Sequence, residues 1–293
     1  MSSPASAIES RLQDRLSELL TAASLEISPR EMHRAPDVAA LLPAGSCVYI
    51  PSLPGLPLTR TLDAIAAMRG AGLDPVPHVS ARRIRDAEEF RQFLKRAASE
   101  HHVHRVLLLG GDEPRPKGPY HDSLQVLEGG VLSECGIREI GVGGYPEGHP
   151  RISLDALDKA LERKLALAGE QGLGVYMVTQ FCLTPQRVVD YCAGLARLRP
   201  HLPVYAGIAG PTDPVALARY AQRCGVSASL RALRNLGAGI ARLVAHGDPR
   251  DQLVALARYS AQRGQSNVVG VHLYSFGGAV PTARWMRELM QIR

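Results

Sequence analysis

Residues 175–198 read VYMVTQFCLTPQRVVDYCAGLARL, a short apolar run joined to an amphipathic segment. The run 175–182 is rich in β-branched and aromatic residues, which favour strands. In the segment that follows, apolar residues recur at spacings of three and four, as at Val188, Cys192 and Leu195, which is typical of one face of a helix. The stretch therefore predicts a strand followed by a helix.

The same pairing of run and segment recurs along the whole chain. Short apolar runs alternate with longer segments of helical periodicity, and this alternation predicts parallel strands joined by crossover helices. The predicted strands are residues 23–28, 46–52, 74–80, 105–111, 139–146, 175–182, 203–210 and 268–277.

The number of these units points to one fold of the α/β class. Eight units in 293 residues predict a (β/α)8 barrel, which typically needs ~250 residues. A doubly wound open sheet is the main competitor, but no G-x-G-x-x-G follows the first run. We expect a single domain over residues 1–293, with an N-terminal helix that covers the lower face of the barrel and a helical insertion at 211–267 before the eighth strand.

Composition argues for a cytoplasmic protein. The five cysteines are odd in number, widely spaced and form no C-x-x-C pair, so a reducing compartment is the simplest setting. Charged residues interrupt the apolar positions of the N-terminus, unlike those of a signal peptide. No apolar run approaches the ~20 residues of a membrane span, so no membrane partner is expected.

Charge and histidine content argue against two kinds of site. The net charge is +6, but the basic residues are scattered, and we interpret the short cluster of Arg82, Arg83 and Arg85 as solvated. Aromatic residues make up 5% of the chain, too few for base-stacking platforms, so no nucleic-acid partner is expected. The basic balance suits an anionic small substrate or a phosphate-bearing cofactor. The run HHVH at 101–104 resembles a metal site but precedes the fourth strand, at the face that barrels seldom use, so no metal is expected.

Glu26 is the sharpest candidate for chemistry, because catalytic residues of these barrels lie where strands end. It stands between Leu25 and Ile27 in the first strand, so burial is expected to raise the pKa of its carboxyl toward that of a general acid. The alternative is that Glu26 faces outward and pairs with an arginine of a helix.

Other strand ends carry polar groups with two interpretations each. Asp112 follows two glycines that allow close approach of a ligand, or it merely caps a turn. Gln180 ends its strand with an amide that can both donate and accept, or it is satisfied by a neighbouring loop. His78 is equally compatible with a packed, hydrogen-bonded histidine. Arg163 and Lys164 are typical of a solvated helix face unless an anionic group lies nearby.

Several stretches together resemble the methylenetetrahydrofolate reductase family, in a divergent, short bacterial-type form. They occur in the family's order and cover most of the chain, and GYPEGHP is the most specific of them. The matching stretches are SLEISPR (24–30), VPHV (76–79), LGGDEP (109–114), GYPEGHP (144–150), LERK (161–164), VTQF (178–181) and HLY (272–274).

The resemblance implies a flavin-dependent oxidoreductase of one-carbon metabolism and methionine biosynthesis. FAD would lie across the barrel top, and hydride would pass between the flavin and the one-carbon unit of a tetrahydrofolate derivative, with NADH or NADPH as hydride partner. Glu26 corresponds to the general acid that protonates N10 of 5,10-methylenetetrahydrofolate. Asp112 corresponds to the aspartate beside flavin and pterin, and Gln180 to the glutamine that contacts the pterin.

The resemblance also implies a set of cofactor contacts. Lys164 would offer its charge to the pyrophosphate, Asp158 would accept from ribose hydroxyls, and Tyr145 would contact the flavin, with His149 shaping the rim of the site. The positions that correspond to cofactor contacts are His78, Gly111, Tyr145, His149, Asp158, Arg163 and Lys164.

The chain also departs from the family. Gly110 stands where an arginine is common, the threonine near the flavin is replaced in YIPS, GPTDP follows strand seven, and HLYSFGG (272–278) lacks the asparagine and arginine that usually follow HLY. Two alternatives therefore stay open: direct hydride transfer from a nicotinamide to folate without flavin, and a non-catalytic folate-binding accessory subunit. The direction of the reaction and a homo-oligomeric state stay open as well.

Overall fold

The computed structural model describes residues 4–226, 249–262 and 266–291. Its eight strands form a closed barrel in the order of the sequence, and the strand pairs with a defined register are parallel. The predicted (β/α)8 barrel is therefore confirmed. The strands are β1 (Ser24–Glu26), β2 (Cys47–Ile50), β3 (Asp74–Ser80), β4 (Arg105–Leu109), β5 (Glu139–Gly144), β6 (Gly174–Thr179), β7 (Val204–Ala209) and β8 (Val268–Tyr274).

Each predicted run contains one strand, but most strands end up to three residues earlier than predicted. Pro51 explains the end of β2, because a proline has no N–H to donate to a neighbouring strand. Pro146 has the same effect shortly after β5. The apolar character of the runs thus continues into the loops at the carboxyl ends of the strands.

Helices follow the strands as the periodicity predicts. Ser153 accepts a hydrogen bond from the backbone N–H of Ala156 (3.3 Å) and caps the helix that the sequence predicts there. The predicted insertion at 211–267 includes residues 227–248 and 263–265, which lie outside the described residues. The described helices are α1 (Pro4–Thr21), α2 (Ala35–Ala39), α3 (Leu58–Gly70), α4 (Ala87–His101), α5 (Ser123–Glu128), α6 (Val131–Glu134), α7 (Leu154–Glu170), α8 (Pro185–Leu198), α9 (Pro214–Arg223), α10 (Arg250–Gln262) and α11 (Ala279–Gln291), with 3-10 helices at Pro29–Arg34 and Ala81–Arg83.

By contacts the chain divides into two compact units. The first comprises Met1–Leu25, Gly144–Pro150 and Val178–Arg293, and the second comprises Glu26–Gly143 and Arg151–Met177. The prediction of a single domain stays a prediction.

In the second unit, two tyrosines meet across the barrel interior. Tyr49 lies on β2 and Tyr176 on β6, four strands apart in the ring of eight, and their hydroxyl oxygens are 3.1 Å apart. Gly141 of β5 makes room for this contact, since a Cβ there would lie 2.8 Å from Cζ of Tyr176 and 2.9 Å from Cδ1 of Leu107. The guanidinium of Arg105 lies 5.3 Å from the centre of the Tyr176 ring. Burial raises the pKa of Tyr176 well above its ordinary value, so its hydroxyl stays protonated.

The first unit contains hydrogen bonds of its own between strands and from helix α1. Oγ of Ser24 lies 2.9 Å from Nδ1 of the buried His272, and the hydroxyl of Tyr274 donates to the carbonyl of Thr179 at 2.9 Å. Arg15 of α1 donates to the carbonyl of Val268, the first residue of β8. The N-terminal helix therefore contacts the lower end of a barrel strand, as predicted. Among the described residues, no helix is long and apolar enough to cross a bilayer.

The Gly141→Ala substitution tests the packing around Tyr176. The new methyl group would overlap the Tyr176 ring, and overpacking of this kind lowers the free energy of unfolding by ~1–3 kcal/mol. Gly169→Ala is the matched control, because a Cβ there meets nothing within 4 Å. Alanine in place of a helical glycine raises the free energy of unfolding by up to ~1 kcal/mol. Urea unfolding of both variants measures the difference, and equal stabilities would contradict the assigned packing.

Candidate functional site

Glu26 and His78 form a mostly buried pair in the second unit. Glu26 ends β1, and His78 lies near the end of β3. Nε2 of His78 lies 3.8 Å from Oε1 of Glu26, and the two side chains are only 9% and 15% exposed, respectively. This separation exceeds a hydrogen bond, so the contact becomes an ion pair only when His78 carries a proton. The structure thus places a titratable group directly beside the predicted general acid.

The Tyr49 ring supports this pair from the side of the amino-terminal strand ends. Tyr49 is level with Val76 in the register of β2 and β3, two residues before His78. Its ring meets that of His78 edge to face, with centroids 6.0 Å apart at 71°. The hydroxyl of Tyr49 is hydrogen-bonded to that of Tyr176. The imidazole of His78 therefore packs on a tyrosine that is itself held in place.

Arg83 joins the ends of three neighbouring strands. It follows β3, and its guanidinium donates to the carbonyl of Ser52 after β2 and to the carboxylates of Asp112 and Glu113 after β4. Its side chain is 13% exposed, whereas that of Asp112 is 70% exposed. The interpretation of this arginine as part of a solvated cluster was wrong, because the parallel pairing of β3 with β4 brings two carboxylates to it.

The loop after β4 is held in place by further contacts from the end of β3. Arg82 donates to the carbonyl oxygens of His121 (2.8 Å) and Glu113 (3.0 Å). A Cβ at Gly118 would lie 2.3 Å from the carbonyl oxygen of Arg85, so the loop packs closely on that backbone. Gly111 has a φ of +91°, in the left-handed region that favours glycine. The predicted role of Gly111 in a cofactor contact stays a prediction, since its backbone conformation already requires a glycine.

A cavity of about 130 Å³ opens beside this group of residues. Its polar wall includes Ser52, His78, Ser80 and Arg83, and Phe93 contributes to its apolar wall. Typical ligand pockets measure ~300–1,000 Å³, so the cavity is large enough for a fragment of a ligand rather than for a whole cofactor.

In the first unit, Tyr145 and His149 pack together within the GYPEGHP loop. Their ring centroids are 5.0 Å apart at 87°, and the backbone N–H of Gly148 donates to the carbonyl of Tyr145 at 2.9 Å. Burial raises the pKa of the Tyr145 hydroxyl. The two residues therefore form one closed turn, and their roles toward a cofactor stay predictions.

Gln180 lies directly after β6 and is half-buried. Its side-chain oxygen accepts a hydrogen bond from the backbone N–H of Phe181 at 3.1 Å. The backbone N–H of Gln180 donates to the carbonyl of Gly144 at 2.8 Å. The acceptor half of the amide is thus satisfied locally, as the second interpretation of this residue expected. The fixed oxygen also sets the direction of the amide nitrogen.

The predicted cofactor residues of α7 do not share one face of the helix. Lys164 is half-buried, and burial lowers the pKa of its ammonium while the nearby Asp122 opposes that shift. Asp158 and Arg163 are exposed, and at about 100° per residue Asp158 projects from another face than Lys164. The predicted roles of Lys164, Asp158 and Arg163 toward a cofactor stay predictions.

A comparison with a known structure supports the fold. No family model matches the chain. A Clostridium thermocellum protein that binds two copies of 5-methyl-5,6,7,8-tetrahydrofolic acid matches with a TM-score of 0.64 at 11% identity, covering 98% of this chain and 100% of that one. Dihydropteroate synthase of Thermus thermophilus matches with a TM-score of 0.46 at 15% identity, over 92% and 91% of the two chains. The 3-dehydroquinate dehydratase of Aquifex aeolicus matches with a TM-score of 0.46 at 8% identity, over 92% and 97%.

The likeness to the Clostridium thermocellum protein, at 11% identity, concerns the fold alone. Together with the closed eight-stranded barrel of the structure, it defines the chain as a (β/α)8 barrel protein. Its polar groups at the carboxyl ends of strands, Glu26 and Asp112 among them, lie where the barrels of this class place their chemistry.

A buried thiol and a buried tyrosine hydroxyl near the GYPEGHP loop predict that the stability of the folded protein falls at high pH. Burial raises the pKa of Cys192 and of Tyr191 to about 12, and Tyr191 forms a hydrogen bond with the backbone of Tyr145. Above the ordinary thiol pKa of ~8.5 the unfolded chain releases its proton while the folded chain retains it. The unfolded state then binds fewer protons, so stability is present below that pH and falls as pH rises toward 12.

The Cys192→Ala substitution tests this dependence. Above pH ~9, a thiol of this kind lowers the free energy of unfolding by ~1.4 kcal/mol per pH unit. The Cys192→Ala variant should therefore lose less stability per pH unit than wild type. Cys224→Ala removes an exposed thiol and leaves the slope unchanged. Urea unfolding between pH 7 and 10 measures both slopes, and parallel curves for Cys192→Ala and wild type would refute the assignment.

Proposed function

We propose that this chain binds a reduced folate at the carboxyl ends of its strands and interconverts 5,10-methylene- and 5-methyltetrahydrofolate. The observation that carries the proposal is the mostly buried Glu26 carboxyl, which lies 3.8 Å from His78 at the end of β1. A carboxyl in this setting suits proton transfer to a nitrogen of a bound ligand.

Two further observations support a folate as the ligand. The stretches that resemble the methylenetetrahydrofolate reductase family follow its order along the chain, from SLEISPR to HLY. A barrel that matches nearly the full length of this chain binds 5-methyltetrahydrofolate. The transfer of that binding to this chain is part of the proposal, because the likeness itself concerns the fold.

In the proposed reaction, Glu26 acts on the bridged methylene of the folate. It donates its proton to N10, the C–N bond to N10 breaks, and the electron pair of N5 forms a reactive iminium with the methylene carbon. In the reverse direction the carboxylate takes the proton back. His78, whose Nε2 lies 3.8 Å from this carboxyl, stabilises the carboxylate that remains when the imidazole carries a proton.

A bound FAD would supply the hydride that reduces the iminium carbon, with NADH or NADPH as the source. Lys164 would offer its charge to a phosphate of this cofactor, as the resemblance implies. His78 and Tyr145 would contact it through their rings, as the resemblance implies.

Two polar residues would recognise the pterin ring. Asp112 offers an exposed carboxylate to ring N–H groups. Gln180 offers its amide nitrogen, since its oxygen accepts from Phe181. These assignments follow the resemblance residue by residue.

A non-catalytic folate-binding role is the second candidate. The change to Gly110 favours it, because it removes one cofactor contact that the resembling family commonly has. Direct hydride transfer from a nicotinamide to folate would need the same folate site but no flavin.

The Glu26→Gln variant separates catalysis from binding. Glutamine has nearly the same shape but donates no proton, so turnover should fall by several orders of magnitude while 5-methyltetrahydrofolate still binds. Glu128→Gln replaces an exposed glutamate of α5 and should leave both properties unchanged. Calorimetric titration with 5-methyltetrahydrofolate and a steady-state assay give the two readings. Equal turnover of Glu26→Gln and wild type would exclude Glu26 as the acid.

The cofactor is tested by the absorbance of the purified protein. With FAD bound, the protein is yellow, is bleached by NADH or NADPH under anaerobic conditions, and regains its colour when 5,10-methylenetetrahydrofolate is added. A colourless protein that oxidises a nicotinamide in the presence of the folate would indicate direct transfer. A colourless protein that only binds folate would support the accessory role.

A further inference from the structure

We infer that Arg83 is a positioning residue that sets the Asp112 carboxylate for the folate ligand, an inference that rests on the proposed function. The guanidinium donates at once to the Ser52 carbonyl, to Oδ1 of Asp112 and to Oε1 of Glu113. These acceptors follow β2 and β4, the two neighbours of the strand that carries Arg83.

The partners of this contact differ in exposure. Arg83 is 13% exposed, and Glu113, which it also contacts, is 16% exposed. Asp112 is 70% exposed, and an aspartate on a surface loop would otherwise sample several rotamers. The guanidinium of Arg83 is held by Ser52 and Glu113, so its single hydrogen bond to Oδ1 selects one orientation of the exposed Asp112 carboxylate.

This orientation leaves one carboxylate oxygen for a ligand. Oδ1 of Asp112 accepts from Arg83, and among residues 4–226, 249–262 and 266–291 no hydrogen bond to Oδ2 is found. A carboxylate held at one oxygen and open at the other suits a planar heterocycle that presents N–H donors. Arg83 would thus act on ligand affinity through Asp112.

Arg82 provides a matched control on the same loop. It neighbours Arg83 in sequence and holds the loop after β4 through the carbonyl oxygens of His121 and Glu113. Its substitution removes a guanidinium and loosens the loop, but it removes no contact with Asp112. A purely structural role of the two arginines would therefore give similar effects on ligand binding.

The test is the affinity for 5-methyltetrahydrofolate, measured by calorimetry on the full chain. Arg83→Gln should weaken binding about tenfold, and Arg82→Gln by no more than about twofold. Asp112→Asn should weaken binding, and adding Arg83→Gln to it should cost little more, because both changes remove one interaction. Adding Arg82→Gln to Asp112→Asn should multiply the two separate effects.

Arg83→Lys adds a second reading and covers the case in which Arg83→Gln does not fold. It keeps the charge but not the fork, so it should bind with an affinity between those of wild type and Asp112→Asn. Thermal unfolding of each variant identifies effects on the fold.

The outcomes separate the two proposals. Wild-type protein that does not bind the folate would overturn the proposed function, and the role of Arg83 with it. Wild-type protein that binds, together with equal losses in Arg83→Gln and Arg82→Gln or with independent effects of Arg83→Gln and Asp112→Asn, would overturn only the role of Arg83. Wild-type affinity in Arg83→Lys would do the same.

Discussion

The hydrogen bond between Tyr49 and Tyr176 joins opposite sides of the barrel beneath the candidate pair Glu26 and His78. The two rings come from strands on opposite sides of the ring of eight and occupy the interior below His78. Gly141 allows this arrangement because any side chain there would overlap the Tyr176 ring. Glu26 and His78 are therefore supported from below, near the carboxyl ends of their strands, where a ligand can approach from the loops.

The fold could be predicted because its signal is repeated and local. Each strand and helix, such as β6 and α8, carries its own periodicity, and eight repeats leave few alternatives. Strand ends were less predictable, since apolar residues such as Phe181 continue past the last paired residue and pack in loops instead of in the sheet. The cap at Ser153 was predictable for the opposite reason, because its partner is only three residues away.

The sequence predicts a site residue only where the position of its side chain follows from a single strand. Glu26 alternates with Leu25 and Ile27, both fully buried, so its inward position follows from the two-residue period of a strand. Arg83 gave no such signal, because its partners Asp112 and Glu113 lie about thirty residues away and meet it only through the pairing of β3 with β4. In isolation, an arginine beside two others has the pattern of a solvated surface.

Arg83 supplies the positive charge that an arginine at position 110 would place beside Asp112. A Cβ at Gly110 would meet nothing within 4 Å, so the fold leaves room for the arginine that the resembling family commonly has there. In this chain the positive charge beside Asp112 comes instead from the end of β3, and it is already engaged by two carboxylates. An arginine so engaged holds the loop rather than a cofactor phosphate. On the proposed function, the loop presents Asp112 to the folate, and a phosphate contact is left to Lys164.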